Sequence, residues 1–371
     1  MTAGAGVAGA GTGGAGAARR DLRALPKAHL HLHLTGAMRH PTLVELAAGR
    51  GVRLPAALAE DWPPQLSVAD ERGWFRFQRL YDLARSVLRT PADIARLLRE
   101  IAEDERREGS GWCEVQVDPS GFAPAFGGLS AFADLVLEAA ADAAAATGVG
   151  IGVVVAANRT RHPLDARTLA RLAAGYAGAG VVGFGLSNDE RRGTVADFAP
   201  AFAIAARAGL ASVPHAGELR GPDVVADTLR LLDPRRLGHG VRAAEDPRVL
   251  AAAVEAGAAF EVCPASNVAL GIYPRPTAVP IPALRSAGAR ICLGADDPLL
   301  FGSRLVDQYV LVRDVFGLSD SELAGLARDS VEASLAPAGV RTRLLDGITA
   351  WLAAPADPPA APPAPVTGDG G

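Results

Sequence analysis

Cysteine is nearly absent from this chain. The 371 residues include three, Cys113, Cys263 and Cys292. They are too scattered for a disulfide framework, and no C-x-x-C pair offers thiolates to a metal. That usage predicts a reducing, cytoplasmic setting. An excess of one charge is lacking too. The formal net charge of −4 leaves no basic field for nucleic acid. No run of about 20 uncharged apolar residues appears, which excludes a membrane-spanning helix. Residues 1–18 are Gly/Ala-rich without a leading basic region, and Arg19-Arg20 precedes Asp21 where an apolar run would have to begin, so no export signal is read. We expect residues 1–20 to be a flexible extension and the Pro/Ala/Gly-rich 354–371 a disordered tail, flanking one domain over 21–353. No internal repeat is visible.

Histidine is also scarce, at 7 residues, yet three of them fall in Ala28-His29-Leu30-His31-Leu32-His33-Leu34-Thr35-Gly36. Period-two alternation is the pattern of a β-strand, which puts His29, His31 and His33 on one face and the leucines on the other. Imidazoles in a row at strand spacing are a metal-ligand geometry. Gly36 ends the strand, so the histidines sit at its C-terminal end.

The stretch from about 41 to 110 reads as helical and is too long for a simple connection, so it predicts an inserted wall or lid. Trp74, Phe77 and Tyr81 gather there, an apolar face for a ligand ring or ordinary packing. After it, apolar runs at 112–117, 150–156, 181–186, 211–214, 236–237, 259–262 and 290–293 alternate with Ala/Leu/Arg-rich helical segments. With the histidine strand these make eight strands. Apolar strands covered by helices imply a parallel sheet, and eight such units predict an α/β fold closed as a (β/α)₈ TIM barrel, with terminal helices at 319–335 and 340–352. A doubly wound open sheet is the alternative.

Polar groups fall at the predicted strand ends, the catalytic rim of such barrels. They are Ser187-Asn188-Asp189-Glu190, Pro214-His215-Ala216-Gly217-Glu218, Gly238-His239-Gly240, Cys263-Pro264-Ala265-Ser266-Asn267 and Gly294-Ala295-Asp296-Asp297-Pro298. His31, His33 and His215 can supply nitrogen ligands and Asp296 a carboxylate, a set suited to one Zn²⁺ with a water in the remaining position. Such an ion lowers the pKa of water from about 15.7 towards roughly 7. His239 is then placed to orient or deprotonate that water, Glu218 to act as general acid, and Asp297 to hydrogen-bond a ligand. His29 reads as structural, and His40 and His162 as surface or rim residues.

These motifs, together with Leu25-Pro26-Lys27-Ala28-His29-Leu30-His31-Leu32-His33, resemble the adenosine deaminase family of metal-dependent hydrolases, in the family's order over roughly 25–345. The resemblance implies a (β/α)₈ barrel binding one zinc through His31, His33, His215 and Asp296. It makes Glu218 the proton donor to purine N1, His239 and Asp296 the water-orienting pair, and Asp297 the partner of N7. The implied reaction replaces the 6-amino group of a purine by oxygen and releases ammonia.

Two positions depart from the family pattern. Thr35 stands where the family has an Asp that holds the ribose 5′-hydroxyl, and Asn188 where it has the Gly before the residue matching Asp189, next to purine N3. Both point to a modified substrate. Thr35, Arg39 and the aromatic wall resemble the subgroup acting on aminodeoxyfutalosine, a menaquinone precursor, with Arg39 meeting its carboxylate. That substrate is favoured slightly over adenosine. Adenine ranks third, because a bare base does not need a large helical insertion. Amide or phosphoester hydrolysis on the same barrel is a competing activity, but no strand-end lysine exists to bridge two metals. A metal-dependent binding protein is the non-catalytic alternative. The expected partner is a small purine nucleoside; a homo-oligomer is compatible with the chain.

Overall fold

Largely apolar runs of Val, Ala, Leu and Gly can be buried on both faces only if helices cover the outside of the sheet. The computed structural model describes residues 19–67 and 70–356, and it realises that arrangement. Its strands are β1 (Lys27–His33), β2 (Ser110–Val117), β3 (Gly150–Asn158), β4 (Val181–Ser187), β5 (Ala211–Ala216), β6 (Arg236–His239), β7 (Ala259–Val262) and β8 (Ile291–Leu293). They pair in parallel in sequence order. The ring closes where the Leu32–Asp296 bridge joins β1 to the end of β8, with His33 N donating to Asp296 O at 3.1 Å and Asp296 N to His31 O at 3.0 Å. The fold is therefore the (β/α)₈ barrel and not the open sheet.

The segment between β1 and β2 is helical, as α1 (His40–Gly49), α2 (Ala56–Ala59), α3 (Glu71–Ser86) and α4 (Pro91–Arg107). The outer layer continues with α5 (Leu129–Thr147), α6 (Pro163–Gly175), α7 (Val195–Arg207), α8 (Pro222–Leu232) and α9 (Pro247–Glu255). Short helices α10 (Pro264–Ala269), α11 (Ile281–Ser286) and α12 (Pro298–Phe301) flank β8, and α13 (Leu305–Phe316), α14 (Asp320–Ala333) and α15 (Ala338–Ala353) follow. Much of the proline content is spent at helix starts. Pro41, Pro91, Pro163, Pro222 and Pro247 each open a helix, where the missing N–H costs nothing. Helix α13 carries no Pro and a weak apolar stripe, and sequence patterning did not find it.

Helix α14 seals the seam between β8 and β1. Ala28 N donates to Ser330 Oγ at 3.3 Å and Ile291 N to Asp329 Oδ2 at 3.1 Å. Arg20, expected in the extension, is tied down: its guanidinium meets the carbonyls of Leu352 and Ala354 at 2.8 and 2.7 Å. The rest of the expected extension, 1–18, and of the expected tail, 357–371, lies outside the described residues. Among the described residues no helix is long and apolar enough to cross a membrane, and all three cysteines are buried and unpaired.

Candidate active site

The histidine strand does not present all three rings together. The β1–β2 register slips between His29 and Leu32. A bulge of this kind breaks the alternation of faces, so the expectation of one imidazole row is corrected at its first member. His29 instead meets Glu105 of α4 through Nδ1 at 2.7 Å and accepts the Ala295 N–H at Nε2, 3.0 Å away. Both ring nitrogens are occupied, which fits its reading as structural. His40, half-buried, stacks on Trp62 and holds Leu58 O through Nε2 at 2.8 Å, while His162 accepts from Leu164 N at the start of α6.

His31, His33, His215 and Asp296 converge. One ligand atom from each lies within 4.8 Å of the others, and the three ring centroids are 4.7–5.3 Å apart. His31 Nδ1 faces Glu261 Oε2 at 2.7 Å, so a proton there leaves the Nε2 lone pair facing Asp296 Oδ1 at 3.4 Å. That buried Nε2 has no hydrogen-bond partner. Burial opposes a charge on His31, but Asp296 and Glu261 overcome it and raise its pKa to about 10. The space between His31 and Asp296 therefore draws a positive charge, either a proton or a cation. Three imidazoles and a carboxylate at these separations fit a borderline-soft divalent ion.

A second group adjoins the first. His239 Nε2 lies 3.6 Å from Glu218 Oε1 and 3.9 Å from Asp296 Oδ2. Its Nδ1 is held by the Asn267 amide at 3.2 Å, and Ser266 Oγ donates to Asp296 Oδ2. Burial and the neighbouring His31 push His239 down to about 3, so its ring is neutral at pH 7. Burial, reinforced by Asp296 and Glu190, raises Glu218 well above the carboxylate range. Glu190 Oε2 accepts the backbone N–H groups of Glu218, Leu219 and Arg220 at 2.6–2.9 Å and so shapes the turn after β5. Asp297 is buried, its Oδ1 lacks a partner, and burial beside Asp296 lifts its pKa to about 7. Gly36 makes room for it: a Cβ there would stand 1.7 Å from Asp297 Oδ1.

Three residues at these strand ends adopt the left-handed conformation: Asn188 (φ 77°), His239 (φ 62°) and Asp296 (φ 62°). Such conformations cluster where a site over-determines the backbone. They also explain Asn188. The position demands positive φ, which Asn tolerates better than most residues. Its side chain then reaches Gln78 Oε1 on α3 at 3.0 Å.

His33, His215, Glu218, His239, Asp296 and Asp297 line one cavity at the mouth of the barrel. Trp74, Phe77, Tyr81 and Phe122 are among its apolar lining. Two expectations are corrected. Arg39 does not reach the cavity: its guanidinium is spent on Asp104 at 2.8–3.1 Å and Glu103 at 2.8 Å, partners brought by α4. Thr35 is buried outside the lining, its hydroxyl beside the Tyr81 phenol. Glu261 and Gln116 carried no signal in the sequence, and Glu190 stood there only as part of a polar strand end without a role. Only the tertiary fold reveals what each faces.

The family model for adenosine deaminase matches residues 26–351. A putative adenosine/adenine deaminase of Streptomyces virginiae is 59% identical over 333 residues, covering 90% of this chain and 98% of the relative. An adenine deaminase of Agrobacterium fabrum is 35% identical over 321 residues, covering 86% and 97%. The crystal structure of an adenine deaminase from Arthrobacter aurescens superposes with a TM-score of 0.81 at 29% identity, covering 89% of this chain and 99% of that one. None of these matches points to aminodeoxyfutalosine, and with Arg39 engaged elsewhere the expectation of that substrate is withdrawn. The matched span and the level of identity establish that the chain belongs to the adenosine deaminase family, metal-dependent hydrolases acting on C–N bonds.

Proposed function

We propose that this chain hydrolyses the 6-amino group of adenine, releasing ammonia and a 6-oxopurine. The observation that carries the reading is a buried Glu218, held in its acid form, across from a neutral His239 and a four-donor cation site. His31, His33, His215 and Asp296 would hold the ion, for which zinc suits the donor set. When bound, it supplies the Lewis acidity that brings the pKa of water towards neutrality. His239 and Asp296 flank the position from which water reaches C6, and orient it. Glu218 donates its proton to N1, so the C6=N1 electron pair settles on N1 as the C6–O bond forms. One proton of the water passes through the neutral His239 to the 6-amino group, which leaves as ammonia as the C6–N bond breaks. The other returns to the Glu218 carboxylate as C6=O forms. Asp297 meets N7, and the wall of Trp74 and Phe77 covers the ring.

Adenine is preferred over adenosine because Thr35 brings no carboxylate into the cavity for a sugar hydroxyl and because two of the matched proteins are adenine deaminases. The helical insertion does not argue against a bare base. The Agrobacterium fabrum enzyme aligns over 97% of its own length. Adenosine is the second reading, favoured by the name of the 59% identical relative. The test is an ultraviolet assay of the zinc-loaded protein with each purine, paired with metal analysis. We expect turnover of adenine, slower turnover of adenosine, and one zinc per chain. Loss of the 6-amino group from neither purine overturns the reading.

A further inference from the structure

Four side-chain amides line the cavity: Gln78, Gln116, Asn158 and Asn188. Three are spoken for. Asn188 donates to Gln78, Gln78 donates onward to Asp82 at 3.0 Å, and Asn158 Oδ1 accepts from Thr160. Gln116 is different. It is 2% exposed, and among the described residues neither its Oε1 nor its Nε2 has a partner. A buried amide with both ends unpaired is destabilising unless something meets it. Asp297 Oδ1 and His31 Nε2, which face the reacting groups, are buried and unpaired in the same way.

Position says what Gln116 would meet. It sits on β2 in register with His33 on β1. With C6 at the cation site, N1 towards Glu218 after β5 and N7 towards Asp297 after β8, the five-membered ring lies on the β8–β1 side of the barrel. The opposite edge of the purine, N9 and N3, then faces β2 to β4. We propose that Gln116 reads that edge: its Oε1 accepts from N9–H, and its Nε2 donates to N3. A carboxamide matches a neighbouring donor and acceptor on a base edge with two parallel hydrogen bonds. Only the free base offers both. A substituent on N9 removes the donor and leaves a buried carbonyl unpaired, which is how a polar site rejects an analogue. Gln116 is thus a specificity-determining residue for the free base, an assignment that rests on the reading above.

The probe is 9-methyladenine, which lacks N9–H but keeps the 6-amino group and carries no sugar. For the wild type we expect kcat/KM on adenine to exceed that on 9-methyladenine by roughly 10–100-fold. Gln116→Leu should lose most of that ratio, through a larger fall on adenine than on 9-methyladenine, with zinc content unchanged. Gln116→Glu keeps an acceptor for N9–H and should retain more of the ratio than Gln116→Leu; Gln116→Met, closer in length to glutamine, replaces the leucine variant if that does not fold. Equal kcat/KM on the two purines in the wild type, or an unchanged ratio in the folded leucine or methionine variant, overturns the assignment while leaving the deaminase reading intact. Loss of the 6-amino group from none of the purines overturns both.

Discussion

The Arg236 network on the floor of this barrel and the groups around the cavity at its mouth are both buried and polar, and they are paired in opposite ways. On the floor, Arg236 is fully buried and satisfied: Nε donates to Glu261, Nη2 to Glu114 and Nη1 to the Ala333 carbonyl. Glu114 also accepts from Trp112 Nε1 at 2.9 Å and Leu335 N at 2.6 Å. At the mouth, Asp297 Oδ1, His31 Nε2 and both ends of Gln116 lack partners. Native proteins pair their buried polar atoms, so an unpaired set gathered around one cavity marks where a ligand is expected. The two layers touch at His31, which hands one nitrogen to Glu261 below and aims the other at the site.

If the mouth acts and the floor supports, the largest loss should follow a change at the mouth that leaves structure alone. Glu218→Gln is such a change. It keeps the shape of the side chain and its backbone contacts but removes the proton that N1 receives. We expect kcat to fall by about 10²–10⁴-fold, with zinc content and thermal stability retained. Because burial holds Glu218 in its acid form, wild-type activity should decline as pH rises through its raised pKa. A glutamine variant retaining a tenth of the activity would remove Glu218 from the acid role.

A floor substitution should show the reverse pattern. Burial opposes a charge on Glu261, yet Arg236 and His31 hold its pKa below the ordinary range. Glu261→Gln keeps hydrogen-bonding atoms but gives up the charge that fixes the His31 proton and balances Arg236. Partners of this kind are worth about 10–100-fold in metal affinity, and breaking a buried pair costs up to about 3–5 kcal/mol. Competition with a chelator should reveal the weaker metal binding, and the melting temperature of the metal-free protein should fall. If neither moves, the floor is inert packing.

The same contrast explains what could be read from the chain. Strands, closure and the convergence of His31, His33, His215 and Asp296 were legible because each rests on a local pattern: an apolar run ending in a polar group. Partnerships were not. Nothing near Arg39 says that Asp104 and Glu103 will claim it, since that depends on how α4 folds back. Glu261 looks like an ordinary acid in Ala259-Phe260-Glu261-Val262 until β6 brings Arg236 beside it. The slip that removes His29 from the imidazole row lies in strand register, which alternation alone does not carry.

Lys27 offers the smallest effect and the sharpest control, because it lies on the same strand as His31 and His33 but at its closed end. Its ammonium is fully buried and donates to the carbonyls of Leu22 and Leu25, each at 2.6 Å. Burial brings its pKa down to about 7 from 10.5, against the pull of Glu108 and Glu105. Between those values the unfolded chain binds the proton that the folded one has released. Stability from this group is therefore complete above about 10.5 and is lost as pH falls towards 7. The melting temperature of the wild type, measured against Lys27→Met, should climb by about 2 °C per pH unit between 7 and 9.5, with kcat/KM the same in both proteins. A flat difference would mean that Lys27 keeps its proton in the folded state. A change in kcat/KM would mean that the closed end of β1 is coupled to the mouth after all.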